Sequence, residues 1–248
     1  VGIVEEIGAG VTGFEVGELV ATETQHQAWA NIWPPSAIKV PEGVTPTDAT
    51  WHSLGRIAQV GVRKADHELG DAVVIIGLGL LGQLVTQYVR LMGARQVIAI
   101  DTSDFRLELA KEHGATHCLL MPVQDAKDTI LELTGGRGVD VAIEAAWAEE
   151  SVAQAAEMLR LGGRLVVVGI SGGNRLELPA SIARRKGLTI VMSRRMKHTY
   201  PRAIRLAETG RVDLHGLVSH RFWLKQAPEA FKLNTAYADG VVKVMVKS

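Results

Sequence analysis

The chain has 248 residues, enough for one large or two modest domains with a proper core. Lys plus Arg and Asp plus Glu balance at 27 each, so charge gives no reason to expect nucleic acid or an anionic membrane as partner. The single cysteine, Cys118, excludes an internal disulfide framework and a four-cysteine zinc lobe. No apolar run reaches the ~20 residues of a membrane span, and no leader-like stretch is read, so a cytoplasmic protein is expected.

From Val1 to about Gly55 the chain lacks long helical periodicity and is punctuated by Gly8, Gly10, Gly13, Gly17, Pro34-Pro35, Pro41 and Gly43. Short runs at Gly2 to Ile7 and Glu18 to Ala21 predict strands. From about Arg56 to Lys197 strands alternate with helices. Val73 to Ile76 reads as a strand, Leu81 to Met92 as a helix stopped by Gly93, and Val97 to Asp101 as a second strand. A helix from Phe105 to His113, a buried strand from His117 to Met121 and a helix from Gln124 to Leu133 follow. Next come a strand from Val139 to Ala146 and a helix from Glu149 to Leu161. Gly162-Gly163 then turns into a strand ending at Gly169. A short helix, Ser181 to Lys186, leads to a strand at Leu188 to Met192. Alternation of this kind means a parallel sheet with helices on both faces, an α/β doubly wound fold. The last fifty or so residues predict helices at Tyr200 to Glu208 and Gln226 to Asn234 and a strand at Val241 to Val246.

Chemistry is concentrated in Gly77-Leu78-Gly79-Leu80-Leu81-Gly82 and Asp101. Gly77 permits a tight turn out of the strand, Gly79 lets backbone N–H groups approach a pyrophosphate, and Gly82 allows the helix to pack closely on the sheet. Asp101 ends the next strand, where a carboxylate bonds ribose hydroxyls and repels a 2′-phosphate, so NAD rather than NADP is expected. A doubly wound sheet that binds no nucleotide is a competing reading, as is a methyltransferase, which also combines a glycine turn with a later acid. Cys118 reads as a small core residue rather than a nucleophile. Trp147, just past a strand end, either stacks on the cofactor, narrows its cleft, or makes a simple hydrophobic contact.

These segments together resemble the medium-chain dehydrogenase/reductase family, in particular its zinc-dependent alcohol and polyol dehydrogenase branch. Val1 to Gly8 and Gly17 to Val20 are similar to the start of that family's GroES-like catalytic domain. Gly77 to Gly82 with Asp101 match its coenzyme fingerprint. Gly138 to Glu144 and Gly162 to Gly169 resemble two further strands of its coenzyme domain, and Ser219 to Phe222, Ala230-Phe231 and Lys243-Val244 resemble its ending. The resemblance implies a partial GroES-like catalytic domain at 1–55, a Rossmann NAD-binding domain at 56–198, and a return to the catalytic domain at 199–248. It places Val168 and Gly169 beneath the nicotinamide, Lys243 against the pyrophosphate and Arg106 beside the adenosine ribose. Arg106 is also open to a 2′-phosphate, which would relax the preference for NAD. It implies a small alcohol or polyol as substrate and a homodimer that pairs edge strands, with Leu188 to Met192 as the candidate edge.

The family's catalytic cysteine, hydroxyl residue and Gly-His-Glu segment precede the stretch matched at Val1, so an amino-terminally truncated form is expected and no catalytic residue is assigned. The position of the third zinc ligand is taken by His52. Histidine is a competent ligand, but partners at family positions are missing, and His26 and His220 are not at such positions. Zinc is therefore expected in the intact protein and doubtful in this chain. Two alternatives stand beside an NAD-dependent alcohol or polyol dehydrogenase. One is a zinc-independent quinone or enoyl reductase, and the other is a non-catalytic NAD-binding sensor or interaction protein.

Overall fold

A computed structural model describes the chain apart from residues 147, 149, 171, 172, 174, 195–199, 239 and 248, and apart from the side chains of 200 and 201. The Trp147 readings therefore lie outside the described residues. The chain folds as two compact units, Val1–Arg56 with Lys197–Ser248, and Ile57–Met196.

The chain begins with three short strands, β1 (Gly2–Ile3), β2 (Leu19–Ala21) and β3 (Ile38–Lys39), paired antiparallel in that order. β1 is shorter than its apolar run suggests. After Val4, held by its exchange with Gly17 and Glu18, the chain is exposed and irregular up to the turn at Gly10. Two helices follow, α1 (Pro46–Ala49) and α2 (His52–Ala65). Thr45 caps α1 by accepting the Asp48 N–H. The 14-residue α2 is not anticipated in the sequence, where Gly55 and Gly61 interrupt the pattern.

Ile57–Met196 is built on a six-stranded, wholly parallel sheet of order β6-β5-β4-β7-β8-β9. Its elements are β4 (Ala72–Ile76), α3 (Leu80–Leu91), β5 (Gln96–Asp101), α4 (Asp104–Glu112), β6 (His117–Leu120), α5 (Lys127–Leu133), β7 (Val139–Glu144), α6 (Ser151–Met158), β8 (Leu159–Val167), α7 (Ala180–Lys186) and β9 (Thr189–Met192). All five residues of β4 are buried, as a strand covered on both faces requires. The chain winds one way from β4 to β6, then returns to β7 on the other side of β4. The strand order therefore reverses between β4 and β7, which makes their carboxyl ends a topological switch point.

Three predicted features differ. Met92 is 45% exposed rather than in the core, because α3 stops at Leu91 and leaves Met92 as its C-cap before Gly93 at φ +95°. β6 is half-buried, not buried, because it forms one edge of the sheet; β9 forms the other. α6 ends at Met158, not Leu161. Leu159 turns to extended backbone and pairs with Val139, so Leu159 to Gly163 lie in β8, with a register shift opposite Val139 and Val141.

The end of the chain supplies α8 (Tyr200–Glu208), β10 (Val218–Trp223), α9 (Ala227–Ala236) and β11 (Lys243–Lys247). β10, unforeseen as a strand, runs parallel to β11. The Ser219 hydroxyl accepts the Val242 and Lys243 N–H groups and donates to the Lys243 carbonyl, which pins the register where it shifts between Val218 and His220. Among the described residues no helix is long and apolar enough to cross a membrane.

Candidate functional site

Buried β-branched residues carry β4 straight to Gly77, whose N–H donates to the Ile100 carbonyl at 2.9 Å. Gly77 sits at φ +84°, a region that excludes most side chains, and a β-carbon there would stand 2.6 Å from Ala146 Cα. Gly79 is the N-cap of α3 and faces open space. At Gly82 a β-carbon would fall 2.0 Å from the Gly77 carbonyl oxygen, so the helix sits against the turn as closely as backbones allow. The first N–H groups of α3, from Leu80 onward, have no carbonyl one turn back to bond. With the helix dipole they make the turn a place for an anion.

Asp101 ends β5 beside this turn and is largely buried. Its Oδ2 accepts the Leu78 N–H at 2.7 Å and its Oδ1 accepts the Ser103 N–H at 2.9 Å. The carboxylate therefore fixes the turn as well as presenting its remaining lone pairs outward. The Arg106 guanidinium lies 4.0 Å from Asp101 Oδ2. A fully buried residue that sequence reasoning missed, Gln83, joins these parts. Its Nε2 donates to the Leu78 carbonyl at 3.2 Å and the Arg106 carbonyl at 2.8 Å, and its Oε1 meets His113 Nδ1 at 3.0 Å. Nothing in its sequence neighbourhood sets it apart from a polar residue on a solvent face of the helix.

The second wall follows β7 and β8. Glu144 closes β7 and is only 2% exposed. Its Oε1 accepts the Ala146 N–H at 2.7 Å and the Ser151 hydroxyl at 2.9 Å. Its backbone carbonyl accepts the N–H groups of Val168 and Gly169 at 2.9 and 3.0 Å. Burial pushes the Glu144 pKa up, and the Ser151, Ala146 and Gly169 donors pull it partly back. The structure thus joins Gly77 to Gly82, Asp101 and Arg106 directly, and links Val168-Gly169 to them through Glu144 and Ala146.

Lys243 and His52 belong to the other unit. Lys243 opens β11 with its ammonium 5.7 Å from the centroid of the Trp51 ring, and burial lowers its pKa. His52 opens α2, with Nδ1 3.0 Å from the Ala49 carbonyl, and burial holds its imidazole below the usual histidine range. The neighbouring Glu23 carboxylate accepts from Ser53 and from the buried Arg56. His26 packs edge-on against Phe231, and His220 meets the Ser219 hydroxyl. No group of three or more His, Cys, Asp or Glu side chains that could hold a metal ion gathers among the described residues. Cys118 donates to the Leu107 carbonyl, and burial raises its pKa, the opposite of what activates a thiolate.

A cleft of about 310 Å³ lies at the amino ends of β4, β5 and β7, lined among others by Asp71, Arg95, Arg137 and Asp140. Ligands of doubly wound sheets bind at the carboxyl ends. Asp140 in this cleft acts as a clamp, accepting from the Ala72 N–H, Arg137 and Arg160.

A family model described as zinc-binding dehydrogenase matches residues 81–209, more than half of the chain. An alcohol dehydrogenase from Cupriavidus necator is 32% identical over 246 residues, covering 95% of this chain and 65% of that protein. An L-arabinitol 4-dehydrogenase from Aureobasidium melanogenum is 33% identical over 197 residues, covering 77% of this chain and 53% of that protein. This chain thus spans less than two thirds of the length of either relative. A crystal structure of a zinc-binding dehydrogenase from Sinorhizobium meliloti 1021 bound to NADP superposes with a TM-score of 0.88 at 24% identity, covering 100% of this chain and 81% of that one, and has the same fold. The chain belongs to the zinc-binding dehydrogenase family, within the medium-chain dehydrogenase/reductases.

Proposed function

We propose that this chain carries the coenzyme-binding part of an NAD-dependent alcohol or polyol dehydrogenase, which moves hydride between a CH–OH carbon and NAD. The observation that carries the reading is the Asp101 carboxylate locked onto the glycine turn at the switch point of the sheet. The names of the relatives, an alcohol dehydrogenase and an arabinitol dehydrogenase, support the substrate class.

In this proposal the N–H groups of Gly79 to Gly82 and the positive end of α3 hold the pyrophosphate. Asp101 accepts the ribose hydroxyls and its charge opposes a 2′-phosphate, which favours NAD. Arg106 flanks the adenosine ribose. Val168 and Gly169 support the nicotinamide ring. A nicotinamide held there would supply the hydride acceptor for the alcohol carbon, whose hydroxyl proton would leave as the carbonyl forms. Zinc does not fit the described residues, which gather no set of three ligands. The competing reading is a chain that binds NAD without catalysis.

The unit Val1–Arg56 with Lys197–Ser248 is read as part of a GroES-like catalytic domain. β9 closes one edge of the parallel sheet, with Ile190 and Met192 exposed, and is the strand through which a second copy of this chain would pair in a cytoplasmic homodimer.

Titration with NADH and NADPH, followed by energy transfer from tryptophan to the reduced nicotinamide, tests the cofactor reading. NADH should bind in the micromolar range and NADPH at least about tenfold more weakly. Equal binding would remove the role given to Asp101, and no binding of either would remove the dinucleotide site. Oxidation of a polyol by the chain with NAD would exclude the non-catalytic reading.

A further inference from the structure

The walls of the candidate cleft come from segments far apart in sequence, and one side chain touches both. On one side, Gly77 rests on Ala146: a β-carbon there would lie 2.6 Å from Ala146 Cα and 2.9 Å from its nitrogen. The Ala146 N–H is in turn held by Glu144 Oε1 at 2.7 Å, and the Ala145 N–H by the Ile76 carbonyl at 2.9 Å. On the other side, the Glu144 carboxylate fills the space a Gly169 side chain would need, with Oε2 2.7 Å from the ideal β-carbon position, while the Glu144 backbone carbonyl accepts the Gly169 N–H at 3.0 Å. The hydroxyl of Ser151, fully buried at the start of α6, lies between Glu144 Oε1 at 2.9 Å and the Ala148 carbonyl at 2.7 Å, and its one proton is shared between them. A buried carboxylate bears a large desolvation cost, which a purely structural strand end could avoid with an apolar residue. Here one oxygen holds the Ala146 N–H of one wall and the other lies against Gly169 of the second.

We propose that Glu144 is a positioning residue for the dinucleotide, setting the separation between the Gly77 turn and the Val168-Gly169 segment through its contacts with Ala146 and Gly169. The inference rests on the dinucleotide reading above. It adds a specific role for a residue that does not itself touch the cofactor.

Glu144→Gln tests it on the full chain. The amide keeps the shape but removes the charge, and with its oxygen on Ala146 it puts an NH₂ in the place of Oε2 against Gly169. Amide hydrogen exchange at Ala146 and Gly169 should quicken about tenfold while β5 stays protected, and NADH should bind about tenfold more weakly. Ser151→Ala keeps the charge, the Ala146 N–H bond and the contact with Gly169, and should stay within about threefold of wild type for NADH. If Glu144→Gln does not fold, Glu144→Asp withdraws the carboxylate by one methylene and is read in the same way. Unchanged NADH binding with wild-type exchange at Ala146 and Gly169 would overturn the proposal. So would Ser151→Ala losing as much affinity as Glu144→Gln, since that would report general destabilisation. A wild-type chain that binds neither cofactor would overturn the dinucleotide reading itself, and this inference with it.

Discussion

Replacing Gly82 by alanine sets a methyl carbon 2.0 Å from the Gly77 carbonyl oxygen and 3.0 Å from its carbon, both backbone atoms. The turn cannot retreat, because Gly77 itself abuts Ala146 and its N–H is tied to Ile100. Relief must come from α3, which has to move by roughly an ångström away from the turn. Overpacking of this kind costs about 1–3 kcal/mol, offset by about 1 kcal/mol because alanine favours helix over glycine. The net loss of up to about 2 kcal/mol corresponds to a Tm lower by up to about 8 °C for a unit of this size. Misplaced N–H groups should also weaken NADH at least tenfold, on the order expected for a shift of about 1 Å. Gly79→Ala is the control. No atom lies within 4 Å of its β-carbon position and its φ of −64° suits alanine, so its Tm should stay within about 2 °C. Its methyl would stand where the pyrophosphate approaches, and NADH should bind roughly a hundredfold more weakly. Circular dichroism melts and tryptophan-to-NADH energy transfer separate the two effects. If Gly79→Ala destabilised the fold as much as Gly82→Ala, or if Gly82→Ala left both Tm and affinity unchanged, this division of roles would be wrong.

Asp101→Asn should lower the NADPH-to-NADH Kd ratio about tenfold, because the charge opposing a 2′-phosphate is gone, and should weaken NADH as the amide NH₂ meets the Leu78 or Ser103 N–H. An unaltered ratio in fluorescence titrations would contradict it. Asp140→Ala should cost about 3 kcal/mol in urea unfolding at pH 7, since the carboxylate accepts from the Ala72 N–H and from Arg160 at 2.6 Å. Burial pushes the Asp140 pKa up, but those donors and Arg137 outweigh it and hold the carboxyl below its usual value. Its contribution is therefore complete above the unfolded pKa of about 3.9 and fades as pH falls through the lower folded one. The gap to the variant should narrow below about pH 4, and a gap independent of pH would count against the clamp. Lys186→Met should cost about 2 kcal/mol, because the Lys186 ammonium donates to the carbonyls of Ala156, Glu157 and Leu159 at 3.1, 2.6 and 2.6 Å. A urea midpoint matching wild type would show that water replaces it there.

What the sequence displayed was local, and what it concealed depended on partners distant along the chain. The β4–turn–α3–β5 unit is legible because a buried strand, three spaced glycines and a helical stripe lie in one short stretch. α2 was hidden by Gly61, yet that glycine is there for the packing. A β-carbon at Gly61 would press to 2.8 Å from the Val168 side chain, a contact made across more than a hundred residues of chain. The apolar spacing of α6 continues past Met158, so helical periodicity gives no stop. The stop comes from β7 and α7: Leu159 pairs with Val139, Gly138 leaves room for the Met158 carbonyl, and Lys186 satisfies the last carbonyls. β10 has the same problem, since its partner β11 lies beyond α9 and its register is pinned by the Ser219 hydroxyl.

The same division runs through the site. The residues expected to meet the cofactor announce themselves, because glycine and a terminal acid carry their reasons within the local backbone. The residues that hold those groups in place do not. Gln83 reads as one more polar position on a helix until the carbonyls of Leu78 and Arg106 are seen on its amide. Glu144 reads as the last letter of a motif until Gly169 is found against its carboxylate. Both are buried polar side chains whose desolvation is offset by partners on other elements. A buried polar residue at the carboxyl end of such a sheet is therefore the signal to look for once a fold is known, because its cost is justified only by what it positions.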